Sequence, residues 1–468
     1  MTKSTIASSA GMAVVVLLAL VAGYRALEHG EARLVAASPG STPALAPGAS
    51  PGPAPELVTP GCLYGRITAK DGTTYEGRMR FAGSQEAFWD DLFNGVKLDN
   101  PWAVHVPAER LKGERQPIAV LGIEIGERRH PLELSRPFQV RFGDLARLES
   151  EGREVRATLK SGTVVALDRL EAGDFDDGIR VWDRRRGVVD LEPLAIRTVE
   201  FLPTPPLAEA PTRLRGTVHT RQGELGGFVA WDRDDALGTD ELTGRTAEGR
   251  VALRLDTIRS IARTSRDGLD VTLRDGRTLA LLGRRGDGPG HRGIAVGDPR
   301  LGRAVVSWGA FERVDFAAPH TDPGSADPAS GPAYGDFPTG QPLTGRLTTR
   351  GGRSLAGRLV FDLDESETTD TLDAPAHGVD YSVPFGLVVA IEPAARVGVG
   401  PRTARLTLHD GTILELDPAG DLGDRNGGML VFVGGSGRED AADYVPWSDV
   451  ARLDFSSIPA GETPHPGR

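Results

Sequence analysis

The sequence predicts an all-β protein of three tandem repeats, each built from two small β-barrel or β-sandwich halves, preceded by an N-terminal apolar helix and a disordered linker. One phrase recurs three times, as "EVRATLKSGTVVALD" at 154–168, "DVTLRDGRTLAL" at 270–281 and "TARLTLHDGTILELD" at 403–417. Within each copy large apolar residues alternate with polar or small ones, the period of a half-buried strand. Helical periodicity is scarce beyond the amino terminus.

Taken in chain order, residues 1–33 read as a signal anchor or signal peptide. "IASSAGMAVVVLLALVAGY", 6–24, is an uncharged run behind Lys3. Its apolar core suits a signal h-region, and the whole run is just long enough to cross a bilayer. Cleavage sites of the small-x-small type follow at "VAG" and "GEA", so an anchored and a cleaved form both remain open. Either exports the chain, leaving it periplasmic or extracytoplasmic on an inner-membrane tether, or secreted after cleavage. Residues 34–61 form a Pro/Ala-rich linker, a composition that cannot bury a core and behaves as an extended spacer.

The body then divides into β-domain 1 at 62–203, β-domain 2 at 212–318, a linker at 319–341, β-domain 3 at 342–457 and a disordered tail at 458–468. At 468 residues the chain is long enough for about three domains of roughly 150 residues. Each copy opens on Leu-x-Gly, with glycines at 65, 216 and 345, and closes on a strand ending in Phe201, Phe316 or Phe455. Spacings between copies vary, and the first carries an insertion near 96–137. Such variation suits separately closed domains better than a solenoid. Asp275-Gly276, Asp410-Gly411 and Ser161-Gly162 mark tight hairpin turns. A half-copy of roughly 55 residues buries too little surface to stand comfortably alone, so the halves of each copy are expected to share a core.

In phrases such as "LTGRLTTRGGRSLAGRLVFDLDESETTDTLD…VPFGLVVAIEP", a strand, a Gly-containing turn, a long strand ending in aromatic-Asp and a closing I-x-x-I follow one another. This order resembles the Sm-like small β-barrel pattern over about 50 residues per copy. The resemblance implies fold alone. The Asn with which that family binds RNA after the aromatic-Asp is missing, since Asp362 is followed by "LDESETTD" and Asp232 by "RDDALGTD".

Charge agrees with this. A net charge of −11, from 54 basic and 65 acidic residues, offers a polyanion no attraction, and nucleic acid is excluded as a partner. The membrane is met only through the N-terminal segment. The single cysteine, Cys62, can form no intrachain disulfide, and no Cys/His cluster has zinc-site spacing. The nine histidines recur at no equivalent positions, and neither a nucleophile elbow nor a phosphate loop is present, which argues against an enzyme.

The candidate site is a set of acidic loops that follow the recurring aromatics Phe81, Trp231 and Phe361. It comprises Asp232, Asp234, Asp235, Asp240 and Glu241 in the second copy, Asp362, Asp364, Glu365 and Asp370 in the third, and Asp90 and Asp91 in the first. The bland reading is solvated carboxylates at strand-to-strand turns. The sharper one is calcium, a hard cation that takes oxygen ligands at loop spacing. No other cofactor is implied. The sequence thus describes a non-catalytic exported β-repeat protein, a binding or scaffold module in the cell envelope whose partner is an envelope protein or polysaccharide. The alternative is a calcium-dependent carbohydrate-binding or hydrolytic accessory module.

Overall fold

The computed structural model describes residues 61–81, 85–89, 92–111, 114–120, 123–130, 136–206, 212–282, 291–318, 331–394, 403–433 and 442–456. The amino-terminal apolar segment, the spacer up to residue 60 and the 458–468 tail lie outside them. The fold is all-β, with several antiparallel sheets.

The first segment contains β1 (Tyr64–Ala69), β2 (Thr74–Phe81), β3 (Leu92–Val96), β4 (Glu114–Val120), β5 (Ile123–His130) and β6 (Pro137–Arg141). It continues with β7 (Leu145–Glu151), β8 (Glu154–Leu159), β9 (Val164–Asp168), β10 (Ile179–Asp183), β11 (Gly187–Leu191) and β12 (Ile196–Phe201). The second segment runs through β13 (Arg215–Thr220), β14 (Gly223–Ala230), β15 (Glu241–Arg245), β16 (Arg250–Arg254) and β17 (Ile258–Arg263). Next come β18 (Gly268–Leu273), β19 (Thr278–Leu282), β20 (Ile294–Asp298), β21 (Gly302–Val306) and β22 (Phe311–Phe316). The third holds β23 (Thr344–Thr349), β24 (Ser354–Val360), β25 (Thr371–Ala376), β26 (Val379–Pro384) and β27 (Val388–Glu392). It ends with β28 (Ala404–Leu408), β29 (Ile413–Leu416), β30 (Met429–Phe432), β31 (Asp443–Val445) and β32 (Val450–Phe455).

The recurring phrase forms the hairpins β8–β9, β18–β19 and β28–β29. Their turn glycines, Gly162, Gly276 and Gly411, have φ of 91°, 91° and 85°, where a β-carbon is disfavoured. The residue before each supplies an oxygen to the turn: Asp275 Oδ1 accepts from the Arg277 N–H at 3.0 Å and Asp410 Oδ1 from the Thr412 N–H at 2.8 Å. Alternation places Val155, Ala157 and Leu159 of β8 inward, as it does Val271 and Leu273 of β18.

One pairing scheme serves all three segments. In the first, β1 and β2 lie between β12 on one side and β10–β11 on the other, giving the order β11-β10-β2-β1-β12. The run from β3 to β9 lies between β2 and β10 in sequence and makes a second group, in which β7, β8 and β9 pair in turn. A bridge from Lys97 to Leu167 attaches the β3–β6 pair to β9. The two groups join where β12 pairs with β7. The equivalent orders are β21-β20-β14-β13-β22 and β16-β15-β19-β18-β17 in the second segment, with β31-β30-β24-β23-β32 and β27-β28-β29 in the third. The halves expected along the sequence therefore interleave: strands one and two of each half pair with later strands of the other, as β13 does with β22, β14 with β20 and β18 with β17. Each segment has one core drawn from both groups, such as Leu63, Met79, Leu148, Val155, Val181 and Val199 in the first.

The segments are also tied to one another. β21 pairs antiparallel with β26, so strands of the second and third segments share a twelve-stranded sheet. The insertion between β3 and β6 sends Val106 against Val360, Leu363 and Leu430 of the third segment. At the end of the 319–341 linker, the Tyr334 hydroxyl donates to Leu145 O at 2.7 Å and Phe337 is buried in the first segment's core.

Candidate functional site

Each acidic loop begins as a tight turn that the sequence dictates locally. The aromatic at the end of the second strand exchanges both backbone hydrogen bonds with the residue four positions on: Phe81 with Gln85, Trp231 with Asp235, Phe361 with Glu365, all at 2.8–3.0 Å. In the second and third turns two successive residues take positive φ, Asp232 (50°) and Arg233 (71°), then Asp362 (48°) and Leu363 (62°). Asp tolerates this conformation better than most side chains. The aromatics themselves are buried: Phe361 packs on Trp447 and Phe385, and Trp231 on Trp308 and Phe311.

The third turn is not solvated. Asp362 and Asp364 are only 6% and 4% exposed, and both are met by cations from the first segment's insertion. Lys97 Nζ lies 2.8 Å from Asp364 Oδ2, and Arg136 Nη1 lies 3.3 Å from Asp362 Oδ2. The Gly427 N–H donates to Asp362 Oδ1, and Asn100 Nδ2 to Leu363 O. Burial raises the Asp362 carboxyl to about 6 against the pull of Arg136. Glu365 is pushed well above the usual carboxylate range, first by burial and then by Asp421 and Asp364. Asp370 accepts from the Ser366 and Glu367 N–H groups at 2.7 and 2.9 Å, so it closes the loop rather than facing a ligand.

The second turn folds onto its own segment. Asp232 accepts from the Arg292 N–H at 2.6 Å and Asp234 pairs with the Arg292 guanidinium. Asp235 is raised to about 7, by burial first and then by its neighbours Asp240, Asp234 and Asp232. Asp240 accepts from the Leu237 N–H, matching Asp370, whereas Glu241 is an exposed strand residue opposite Arg254. In the first copy Asp90 and Asp91 lie outside the described residues. The buried carboxylate there is Glu86, held by Arg78 at 2.9 Å and by Arg80.

The acidic residues therefore do not converge. Among the described residues no group of three or more His, Cys, Asp or Glu side chains is placed to hold a metal ion. Two histidines that touch carboxylates are committed elsewhere. His219 meets Glu224 at 3.1 Å and Asp315 at 2.9 Å, one on each ring nitrogen. His291 is buried against Trp231 and Trp308 and is lowered to about 4 by that burial. Cys62 is also buried, which pushes its thiol up to about 11 and leaves it a poor nucleophile.

Gln85 of the first turn and Arg233 and Asp234 of the second border a cleft of about 580 Å³ with walls from all three segments. Asn94 and Asp177 come from the first, Arg292 and Arg303 from the second, and Asp380 and Tyr381 from the third. A larger cleft of about 900 Å³ lies on the second segment alone, with glycines 216, 226, 227 and 297 in its wall. Sequence reasoning missed the cations that answer the acidic turns, because Lys97 and Arg136 lie over 200 residues from Asp362 and Asp364. No local pattern marks such a pair. Compared with known proteins, the chain matches no family model, no curated protein and no solved structure.

Proposed function

We propose that the chain is an exported, non-catalytic binding module of the cell envelope, three copies of a doubled Sm-like small β-barrel held on a membrane-tethered stalk. The apolar stretch at 6–24 and the Pro/Ala-rich spacer support export. The cleft between the three segments supports binding, and it is the observation that carries the reading. Its walls offer carboxylates, three amides, guanidinium groups and one tyrosine ring, planar polar groups of the kind that pair with vicinal hydroxyls and stack on a sugar face. Of the two partner classes, an envelope polysaccharide fits these walls better than an envelope protein.

The test is retention of the purified full chain on immobilised envelope polysaccharide. Asp177 and Asp380 are exposed at the cleft, so Asp177→Ala with Asp380→Ala should release the chain while leaving its melting temperature unchanged. Retention that survives the double change, or no retention of the native chain, contradicts the reading. Capture of an envelope protein that resists glycan digestion moves the assignment to a protein partner.

A further inference from the structure

The joint between β21 and β26 has two unused counterparts in the same chain. In this joint Arg303 faces Ser382, Ala304 faces Tyr381 and Val305 faces Asp380, antiparallel. β21 is the fourth strand of the second half of its segment, and its counterpart in the first segment is β11: Gly302 pairs with Asp298 as Gly187 pairs with Asp183. Both glycines open their strands at positive φ, 96° and 77°. β26 is the fourth strand of the first half of its segment, and its counterpart in the second segment is β16. Among the described residues β11 and β16 each pair on one side only, with β10 and β15.

We infer that β11 of one chain pairs with β16 of another, repeating between copies the joint that β21 and β26 make within a chain. Transferring the register places Val188 opposite Ala252, Val189 opposite Val251 and Asp190 opposite Arg250. The centre of the contact is apolar and its end pairs opposite charges. Val188 is 57% exposed, a large apolar side chain on an open strand edge. At Gly302 a β-carbon would meet Ser382 O at 2.5 Å across the joint, whereas at Gly187 nothing lies within 4 Å, which leaves room for an incoming strand.

The other edges fit less well. In β6 the position of Arg250 is taken by Pro137, which has no N–H to give a ladder. In the third segment, β31 carries Tyr444, which packs against the cluster containing Val106 of the insertion. Because β11 and β16 are different surfaces, the contact is head-to-tail and generates rings or chains rather than a closed two-fold dimer. Asp190 already accepts from Arg180 at 2.6 and 3.0 Å, and a carboxylate has further lone pairs for Arg250.

The test is light scattering of the full chain across a concentration series. The native chain should grow beyond one copy with concentration, and Asp190→Arg or Arg250→Asp alone should return it to a single copy. Mixing the two variants should restore the longer species with the variants in alternation, because each variant's β11 then meets an oppositely charged β16 on the other. Thermal unfolding at the native temperature establishes that each variant is folded, and if Asp190→Arg is not, Arg250→Asp combined with Val188→Lys is read instead. A native chain that stays single at every concentration, or single variants that associate as the native chain does, overturns the inference.

Discussion

Gly345 of β23 lies opposite Gly357 of β24, and a β-carbon on either would collide with a backbone carbonyl, Asp454 O for Gly345 and Phe432 O for Gly357. The same pairing joins Gly65 to Gly77 and Gly216 to Gly227. Removing side chains at the crossing lets neighbouring backbones approach where the sheet bends. Gly345→Ala should therefore destabilise the protein by about 1–3 kcal/mol through overpacking. Equilibrium denaturation checks this, and an unchanged midpoint would show that the strands can part at no cost.

Gly276 poses a different case, since nothing lies within 4 Å of a β-carbon there and only its φ of 91° resists substitution. Gly276→Val should cost about 1 kcal/mol or more from backbone strain alone. Thermal melting of the variant is the check.

These glycines show what was legible. The Leu-x-Gly phrases and the Asp-Gly turns are local, so the sequence carries them directly. Period-two alternation also located the inward faces of β8, β18 and β28. Alternation says which face a strand buries and not which strand lies beside it, and so the exchange of strands between halves and the β21–β26 joint could not be read. The acidic turns were legible as turns but not as struts. Whether Asp364 meets water, calcium or Lys97 depends on a residue 267 positions away.

Lys97 and Asp364 are both buried at the contact between first and third segments. Lys97→Met leaves an unpaired buried carboxylate and should cost about 3–5 kcal/mol, and adding Asp364→Leu should recover much of that loss. A double-mutant cycle in denaturant measures it. Additive single effects would show that the two groups do not interact.

His291 and Asp235 should give opposite pH signatures. His291 is lowered from 6.5 to about 4, so the folded state binds fewer protons than the unfolded in that window, and stability falls as pH drops through it. His291→Phe should flatten that acid loss, although losing the bond from the Gly293 N–H costs about 1 kcal/mol. Asp235 is raised from 3.8 to about 7, so the folded state binds more protons and stability falls as pH rises from about 4 to about 7. Asp235→Asn should raise the melting temperature at pH 8 and leave it little changed at pH 4. Melting curves across pH distinguish the two.

The most direct measurement is calorimetry of the full chain in chelator and then in excess calcium. A third turn that serves as a strut between segments, with the other two fastened within their own, predicts one cooperative transition with the same midpoint in both conditions. Independent transitions for the three segments, or a midpoint raised by calcium, would contradict the assignment of the acidic turns to internal fastening.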